Sequence, residues 1–391
     1  MYNALMAKLY ERSFVTQLEQ RFSVGQPLIQ VLVGPRQVGK TTGIQQLLAR
    51  YPNATHYANA DDILTTDRTW LLEQWQKASL SGKKTLLVID EIQKVANWSE
   101  TIKSLWDRAP KTLRVILLGS SSLQLQKGLS ESLAGRFELI KTYQWTYEEM
   151  KRAFKYNLER YLTYGGYPGA VTFEDDYDRW YAYLKDSIIE AVVGKDILHN
   201  HKVGNPALFR QAFEILCHYP AQEISYTKLL GQLQDKGNTD LVKYYIELYS
   251  GAFLIHSLEK YSTKSHLTRG SSPKILISCP ALYAMNEGPH VLNDPEKRGR
   301  IFEAAVGAQL LQQPGKLYYW REKQEEVDFV YTYQGQLYAV EVKSGRRKLS
   351  RGLNVFTKKY PKAYPVIITP DNYAAFSENP RNFLNAMINQ K

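Results

Sequence analysis

The sequence predicts an α/β protein whose N-terminal part contains a parallel sheet. Short apolar runs (IQVLVG, TLLVIDE, LRVILLG) alternate with stretches of helical pattern such as TGIQQLLARY and WSETIKSLWDRA. Strands that alternate with helices favour a parallel sheet with crossover helices. The runs are apolar throughout, as expected of strands covered on both faces.

The middle of the chain differs from the first part in composition and in its predicted elements. From about residue 151 it contains tyrosine-rich helical segments, such as ERYLTYGGYP and DRWYAYLKDSIIEAVVGKDIL. Near residue 205 the segments LFRQAFEILCHY, ISYTKLLGQLQ and TDLVKYYIELYSGAFLIHSLEKY predict short helices followed by a strand, an order that resembles a winged helix. The helix at about residues 239–249 would be the one that enters a DNA major groove. The alternative is that this helix only packs against its own protein.

The last part predicts a helix (RGRIFEAAVGAQLL), strands (KLYYW, EEVDFVYTY, QLYAVEVKS), a helix (GLNVFTKKY) and a final strand (YPVIITP). A Gly-, Pro- and Asn-containing break at residues 288–295 marks a candidate boundary before it. A chain of 391 residues is too long for one ordinary core. We therefore predict three domains, over residues 1–150, 151–290 and 291–391.

The composition limits partners and compartment. The chain has 50 Lys and Arg against 39 Asp and Glu, a net charge of +11. A basic surface favours a polyanion, so we expect a nucleic-acid partner with DNA favoured, although many basic proteins bind none. No apolar run approaches the roughly 20 residues that cross a bilayer, and the chain has only 2 cysteines. We expect a cytoplasmic protein with no membrane partner.

A phosphate-binding motif follows the first apolar run. The pattern G-x-x-x-x-G-K-[ST] is met in full by Gly34, Pro35, Arg36, Gln37, Val38, Gly39, Lys40 and Thr41, with Thr42 next. A strand precedes the motif and a helix follows it, which is the context of a P-loop. Backbone N–H groups would surround the phosphates of ATP. Lys40 would contact the β- and γ-phosphates, and the Thr41 hydroxyl would bind Mg²⁺.

Two later strands end in residues suited to hydrolysis. The run LLVIDE ends in Asp90, which we expect to bind Mg²⁺, and in Glu91, which we expect to orient or deprotonate the attacking water. The run LLGSSS places Ser120 as a sensor of the γ-phosphate or the water. Arg136, in SLAGRF, could stabilise the transition state in cis or from a neighbouring subunit of a homo-oligomer, or form a surface salt bridge.

A second constellation lies near the C-terminus: Glu303 on a helix, Asp328 on a strand, and Glu341 with Lys343 on the next strand. Residues two apart on a strand face the same side, so Glu341 and Lys343 project together. A predicted hairpin through residues 333–336 brings Asp328 alongside. Carboxylates that bind Mg²⁺ or Mn²⁺, with a lysine beside them, suit phosphodiester hydrolysis. The pattern is similar to PD-(D/E)xK nucleases, and the basic run at residues 343–348 supports it.

The strings GPRQVGKTT, VIDEIQ, GSSSL and SLAGR together resemble a bacterial and archaeal family of AAA-type ATPases. ERYLTYGGYPGAV, GRIFE, EEVDFV and EVKSG extend the resemblance over most of the chain. It implies an uncharacterised C-terminal region that ends in a restriction-endonuclease-like fold. We predict an ATP-dependent enzyme that acts on nucleic acid, with ATPase, winged-helix and nuclease-like parts. Two alternatives remain: a regulatory switch whose C-terminal part docks DNA or protein, and a branched-DNA motor that recognises junctions without cutting.

Overall fold

The computed structural model describes residues 10–23, 28–61, 67–80, 84–120, 129, 132–233, 238–263, 271–345 and 351–388. They form two compact units, Met1–Tyr143 and Gln144–Lys391. Across these ranges, none of the helices combines the length and the hydrophobicity needed to cross a membrane.

The first unit is an α/β layer structure. Its strands are β1 (Ile29–Val33), β2 (Thr55–Asn59), β3 (Thr85–Asp90), β4 (Leu113–Gly119) and β5 (Phe137–Lys141). Its described helices are α1 (Ser13–Ser23), α2 (Lys40–Leu48), α3 (Arg68–Ser79) and α4 (Trp98–Trp106), with a 3₁₀ turn at Ile92–Lys94. The strands pair in parallel in the order β2-β3-β4-β1-β5. The predicted parallel sheet is therefore confirmed.

The central strands of this sheet are buried because helices cover them. Every residue of β1 and β3 is buried. One hydrophobic cluster joins Phe14 and Leu18 of α1 to Ile44 of α2, and to Val88 and Leu118 of the sheet. The chain runs from β1 into α2, and this crossing places the P-loop at the carboxyl edge of the sheet, where ligands of open parallel sheets bind.

The second unit begins with helices. These are α5 (Tyr147–Phe154), α6 (Leu158–Tyr164), α7 (Tyr177–Ala182), α8 (Pro206–Cys217), α9 (Tyr226–Gln232), α10 (Thr239–Gly251) and α11 (Ala281–Glu287). The helix α7 continues with π-helical hydrogen bonding over Tyr183–Ile189 and Ala191–Leu198, and 3₁₀ turns lie at Pro168–Phe173 and Val291–Asn293. Strands β6 (Gln222–Glu223), β7 (Ile255–Leu258) and β8 (Lys274–Ile277) form an antiparallel sheet in the order β6-β8-β7.

The rest of the second unit is built around a mixed sheet. It contains α12 (Pro295–Leu311), β9 (Lys316–Glu322), β10 (Glu325–Tyr333), β11 (Gln336–Val342), α13 (Arg351–Lys359), β12 (Ala363–Ile368), α14 (Pro370–Glu378) and α15 (Pro380–Ile388). The sheet order is β12-β11-β10-β9, with β11 and β12 parallel. Strands β10 and β11 form the predicted hairpin, because Tyr333 pairs with Gln336. The turn residues Gln334 and Gly335 have φ of 48° and 79°, values typical of a tight hairpin turn.

Candidate functional site

The P-loop connects β1 to α2 in a tightly constrained conformation. Gln37 and Gly39 have φ of 60° and 83°, so the chain curls through left-handed backbone at both positions. At Gly34 an added Cβ would lie 2.4 Å from Thr142 Cγ2 and 2.5 Å from the Thr142 carbonyl oxygen. Only glycine fits there. The motif therefore has the backbone geometry that a phosphate-binding loop requires.

Lys40 and Thr41, at the start of α2, carry the polar groups of the loop. Lys40 is 8% exposed, and its ammonium donates to the carbonyl oxygens of Gly34 at 2.8 Å and Pro35 at 2.7 Å. The hydroxyl of Thr41 donates to Asp90 Oδ2 at 3.1 Å. The structure thus brings the predicted magnesium-binding residues of two elements together. Hydroxyl and carboxylate oxygens are the ligands that Mg²⁺ prefers, so this pair fits the ion.

Asp90 ends β3 and is held by more than Thr41. Its Oδ2 atom also accepts a hydrogen bond from the Tyr57 hydroxyl of β2, at 2.8 Å. Its Oδ1 atom accepts from the Glu91 backbone N–H at 2.9 Å. Asp90 is 5% exposed. Tyr57 was not among the residues that the sequence identified, and it acts as an outer partner that fixes the carboxylate.

Glu91 has an unusual backbone conformation. Its φ is 52°, a left-handed value that is rare and strained for a residue other than glycine. Its side chain accepts hydrogen bonds from Gln93 Nε2 and from the Ser120 hydroxyl at 3.4 Å. Burial, and then the neighbouring Asp90 charge, raise the pKa of Glu91, and Lys40 opposes this rise. The two predicted hydrolytic residues Glu91 and Ser120 therefore meet. Ser121 and Ser122, from the same run, lie outside the described residues.

Arg136 has a partner within its own chain. Its Nε atom donates to Asp107 Oδ1 at 2.8 Å, and its Nη2 atom donates to Asp107 Oδ2 at 3.1 Å. This hydrogen bonding raises the pKa of Arg136 and lowers that of Asp107. The geometry corresponds to the surface salt bridge that the sequence left open as an alternative.

In the second unit, the predicted C-terminal residues lie close enough to influence one another. Asp328 Oδ2 accepts from the Val342 N–H at 2.7 Å, next to Glu341. Lys343 donates to Glu341 Oε1 at 2.6 Å. Burial acts to lower the pKa of Lys343, but this hydrogen bond and the charges of Glu341, Asp328 and Glu303 raise it above its ordinary value. Arg346, Arg347 and Lys348 of the predicted basic run lie outside the described residues.

Lys274 of β8 was missed by the sequence analysis and lies at the centre of this group. It is 8% exposed, forms an ion pair with Glu303 and donates to the Asp328 carbonyl oxygen at 3.0 Å. Burial, and then the Asp328 charge, raise the pKa of Glu303, and Lys274 opposes this rise. A lone lysine in the strand KILI has no sequence signal that links it to residues 303 and 328.

The carboxylates of this cluster have lysine partners in this arrangement. Glu303 and Glu341 each already pair with a lysine ammonium. Throughout the described ranges, no group of three or more His, Cys, Asp or Glu side chains is placed to hold a metal ion. Positive charge at this cluster is supplied by Lys274 and Lys343.

The sequence of this chain matches family models and known proteins over most of its length. Residues 26–151 match a family model described as an AAA domain. Residues 155–288 and 298–385 match domains of unknown function, DUF8612 and DUF4143. The chain is 30% identical over 319 residues to uncharacterised proteins of Mycobacterium bovis and Mycobacterium tuberculosis, over 80% of this chain and 69% of each relative. An uncharacterised protein of Methanocaldococcus jannaschii is 27% identical over 329 residues, 77% of this chain and 71% of the relative.

A solved structure of the Aeropyrum pernix Orc1 protein in complex with DNA aligns with 12% identity and a TM-score of 0.29, over 72% of this chain and 92% of that chain. The parallel sheet, the P-loop and the family match define residues 26–151 as an AAA domain. The chain belongs to the same family as the two mycobacterial proteins.

Proposed function

We propose that the first unit hydrolyses Mg²⁺-ATP at the P-loop, with Asp90 and Glu91 in separate roles. The observation that carries the proposal is the 3.1 Å contact between the Thr41 hydroxyl and the Asp90 carboxylate. It joins the P-loop to the end of β3, where Glu91 follows directly. P-loop ATPases need this combination of a phosphate loop, two magnesium-binding groups and a group that positions water.

Each residue has a distinct task in this proposal. Backbone N–H groups of residues 34–41 bind the phosphates, and the Lys40 ammonium leaves its loop carbonyls to contact the β- and γ-phosphates. Thr41 and Asp90 would hold Mg²⁺, which neutralises charge on the phosphates when bound. The Glu91 carboxylate orients the attacking water and accepts its proton. Ser120, which hydrogen-bonds Glu91, contacts the water or the γ-phosphate.

The experiment that tests this proposal is an ATPase assay with and without Mg²⁺ on the wild-type chain and on Lys40→Ala. Turnover that requires Mg²⁺ and is lost in Lys40→Ala supports the proposal. Lys103→Ala, which removes an exposed lysine of α4 in the same unit, is the matched control and should keep wild-type turnover. Wild-type turnover in Lys40→Ala would refute the assignment.

We further propose that this ATPase acts on nucleic acid, with DNA favoured. The net charge of +11 supports it. The element order α8-β6-α9-α10-β7-β8, with the sheet order β6-β8-β7, supports the winged-helix prediction. The exposed face of α10 carries Asp240, Lys243 and Glu247, and Lys243 donates to Asp240 at 3.0 Å. This mixed charge does not favour phosphate contact, so the nucleic-acid proposal rests on the net charge and not on α10. An ATPase assay across RNA, single-stranded, duplex and junction DNA tests the partner.

For the last part of the chain we propose a nuclease-like fold that binds DNA or protein and does not carry out metal-dependent cleavage of DNA. The hairpin of β10 and β11 and the proximity of Asp328, Glu341 and Lys343 support the fold. The pairing of Glu303 with Lys274 supports a cluster that is neutralised internally. A C-terminal part that binds without cleavage is what the two alternatives share, the regulatory switch and the branched-DNA motor. The division into domains at residues 150 and 290 stays a prediction.

A further inference from the structure

Arg12 lies just before α1, outside the residues that match the AAA domain. It is 6% exposed. Its Nη1 atom donates to the Thr142 hydroxyl at 2.7 Å, to the Tyr143 carbonyl at 2.9 Å and to the Val38 carbonyl at 3.2 Å. A buried guanidinium thus connects the P-loop backbone to the segment that follows β5.

Both ends of this connection lie against the nucleotide site. Val38 is inside the P-loop, immediately before Gly39. Thr142 donates its N–H to the Val33 carbonyl at 2.8 Å, and it is the residue that an added Cβ on Gly34 would strike. Thr142 and Tyr143 are also the last residues of the first unit before the chain enters the second.

The neighbouring residue Phe14 strengthens the attachment. At Gly43 of α2, an added Cβ would lie 2.4 Å from Phe14 Cζ and 3.0 Å from Val15 Cγ2. The segment of residues 12–15 therefore contacts the P-loop backbone through Arg12 and the P-loop helix through Phe14 and Val15. This close packing fixes Arg12 relative to the loop.

The contact to Val38 has a direct consequence for phosphate binding. In a planar trans peptide the carbonyl and the N–H point in opposite directions. A donor that holds the Val38 carbonyl therefore sets the direction of the Gly39 N–H, which belongs to the same peptide. Backbone N–H groups of the loop are the phosphate ligands. Arg12 is suited to this task because its planar guanidinium fixes the directions in which the two N–H groups of Nη1 point.

We propose that Arg12 is a positioning residue for nucleotide binding. It orients the Gly39 N–H toward the phosphates and connects that peptide to Thr142 and Tyr143. Nucleotide binding therefore makes the backbone at residues 142 and 143, which leads into the second unit, more rigid. The proposal rests on the proposed nucleotide-binding function of the P-loop.

The first test is nucleotide affinity, measured with a fluorescent ADP analogue and Mg²⁺ on the full chain. Hydrogen bonds from charged donors suggest a loss of about 10- to 100-fold in Arg12→Gln. Arg12→Lys should fall between Arg12→Gln and wild type, because the ammonium keeps the charge but sits on a side chain of different length and shape. The matched control is Arg21→Gln, which removes a guanidinium of α1 that contacts Gln30 and Glu138. It should bind as wild type does.

The second test separates positioning from a purely structural role. We expect bound nucleotide to slow hydrogen exchange at the amides of residues 142 and 143 in the wild type and to leave it unchanged in Arg12→Gln. Thr142→Val removes one acceptor at nearly constant shape. It should weaken nucleotide binding in the wild-type background and add little to Arg12→Gln.

Folded Arg12→Gln with wild-type affinity and wild-type nucleotide-dependent protection would overturn the proposal. If Arg12→Gln does not fold, Arg12→Lys and Thr142→Val decide in its place, and wild-type affinity in both overturns it. A wild-type chain that binds no nucleotide would instead refute the proposed function itself.

Discussion

The hydroxyl of Thr41 and the Oδ2 atom of Asp90 lie 3.1 Å apart, and the first donates a hydrogen bond to the second. Thr41 belongs to the helix after the first strand, and Asp90 ends the strand two positions away in the sheet order. Between β1 and β3 lies only β4, so the carboxyl ends of these strands meet at one edge. The sheet order therefore creates the magnesium-binding pair from residues distant in sequence.

Tyr57 should matter for the use of Mg²⁺. Its hydroxyl donates to the same Asp90 oxygen at 2.8 Å. Tyr57→Phe removes this donor and leaves the carboxylate less well oriented. Since outer partners of metal ligands commonly change metal affinity by about tenfold, the Mg²⁺ concentration for half-maximal ATP turnover should rise by about that factor. Tyr51→Phe, a partly buried tyrosine of the same unit, is the control. An unchanged Mg²⁺ dependence in Tyr57→Phe would show that Asp90 needs no such support.

A mixing experiment separates the two alternatives for Arg136, a catalytic role across a subunit boundary and a surface salt bridge. If it acts across a subunit boundary, it must leave Asp107, and mixtures of Arg136→Ala with Lys40→Ala chains should regain part of the activity that each lacks alone. Asp107→Ala should then keep or raise turnover, because it frees the guanidinium. The measurement is ATPase rate against mixing ratio. Full activity of Arg136→Ala alone would leave only the surface salt bridge seen here.

Lys274 should contribute strongly to the stability of the second unit. Lys274→Met leaves the Glu303 carboxylate without its ammonium partner in a desolvated site. Removal of one member of a buried pair costs about 3 to 5 kcal/mol, so the urea midpoint of unfolding should fall clearly. The double variant Lys274→Met with Glu303→Leu should recover most of this loss. Lys260→Met is the control, because it makes the same substitution at a lysine that lies two residues after β7.

The same cluster decides between binding and cleavage. With Lys274 and Lys343 already paired to carboxylates, we expect no Mn²⁺-dependent nicking of supercoiled DNA by the wild type. Asp328→Ala and Lys343→Ala should then leave ATP turnover unchanged, and neither variant should differ from the wild type in the nicking assay. Nicking by the wild type that disappears in Asp328→Ala would contradict the internally neutralised cluster and restore the metal-dependent nuclease hypothesis.

Much of the first unit could be predicted because its central strands are buried on both faces. Continuous apolar runs indicated β1, β3 and β4, and the P-loop indicated the start of α2. The strands β2 and β5 escaped the analysis because they lie at the sheet edges. All residues of β2 and most of β5 are only partly buried. The sequences THYAN and FELIK therefore lack the continuous apolar pattern.

The site was partly predictable for a different reason. Lys40, Thr41, Asp90 and Glu91 were identified because each belongs to a short motif whose neighbouring residues also predict the strand or helix that positions it. Tyr57, Arg12 and Lys274 were missed because their roles arise from tertiary contacts across 33, 26 and 29 residues of sequence. Glu303, Asp328 and Glu341 lie on the predicted helix and hairpin, whereas Lys343 comes directly after the end of β11. Lys274, which pairs with Glu303, adds a positive charge to this group of carboxylates. No short sequence pattern links Lys274 to Glu303.

The measurement that tests the central claim most directly compares ATP binding and ATP turnover in Glu91→Gln. Glu91 acts on water and not on the nucleotide, so binding should persist while turnover falls by at least about 100-fold, the scale of a lost general base. Glu100→Gln, an exposed acid at the start of α4, should retain both. ATP hydrolysis by Glu91→Gln at the wild-type rate would contradict the assignment of Glu91 and, with it, the proposed mechanism.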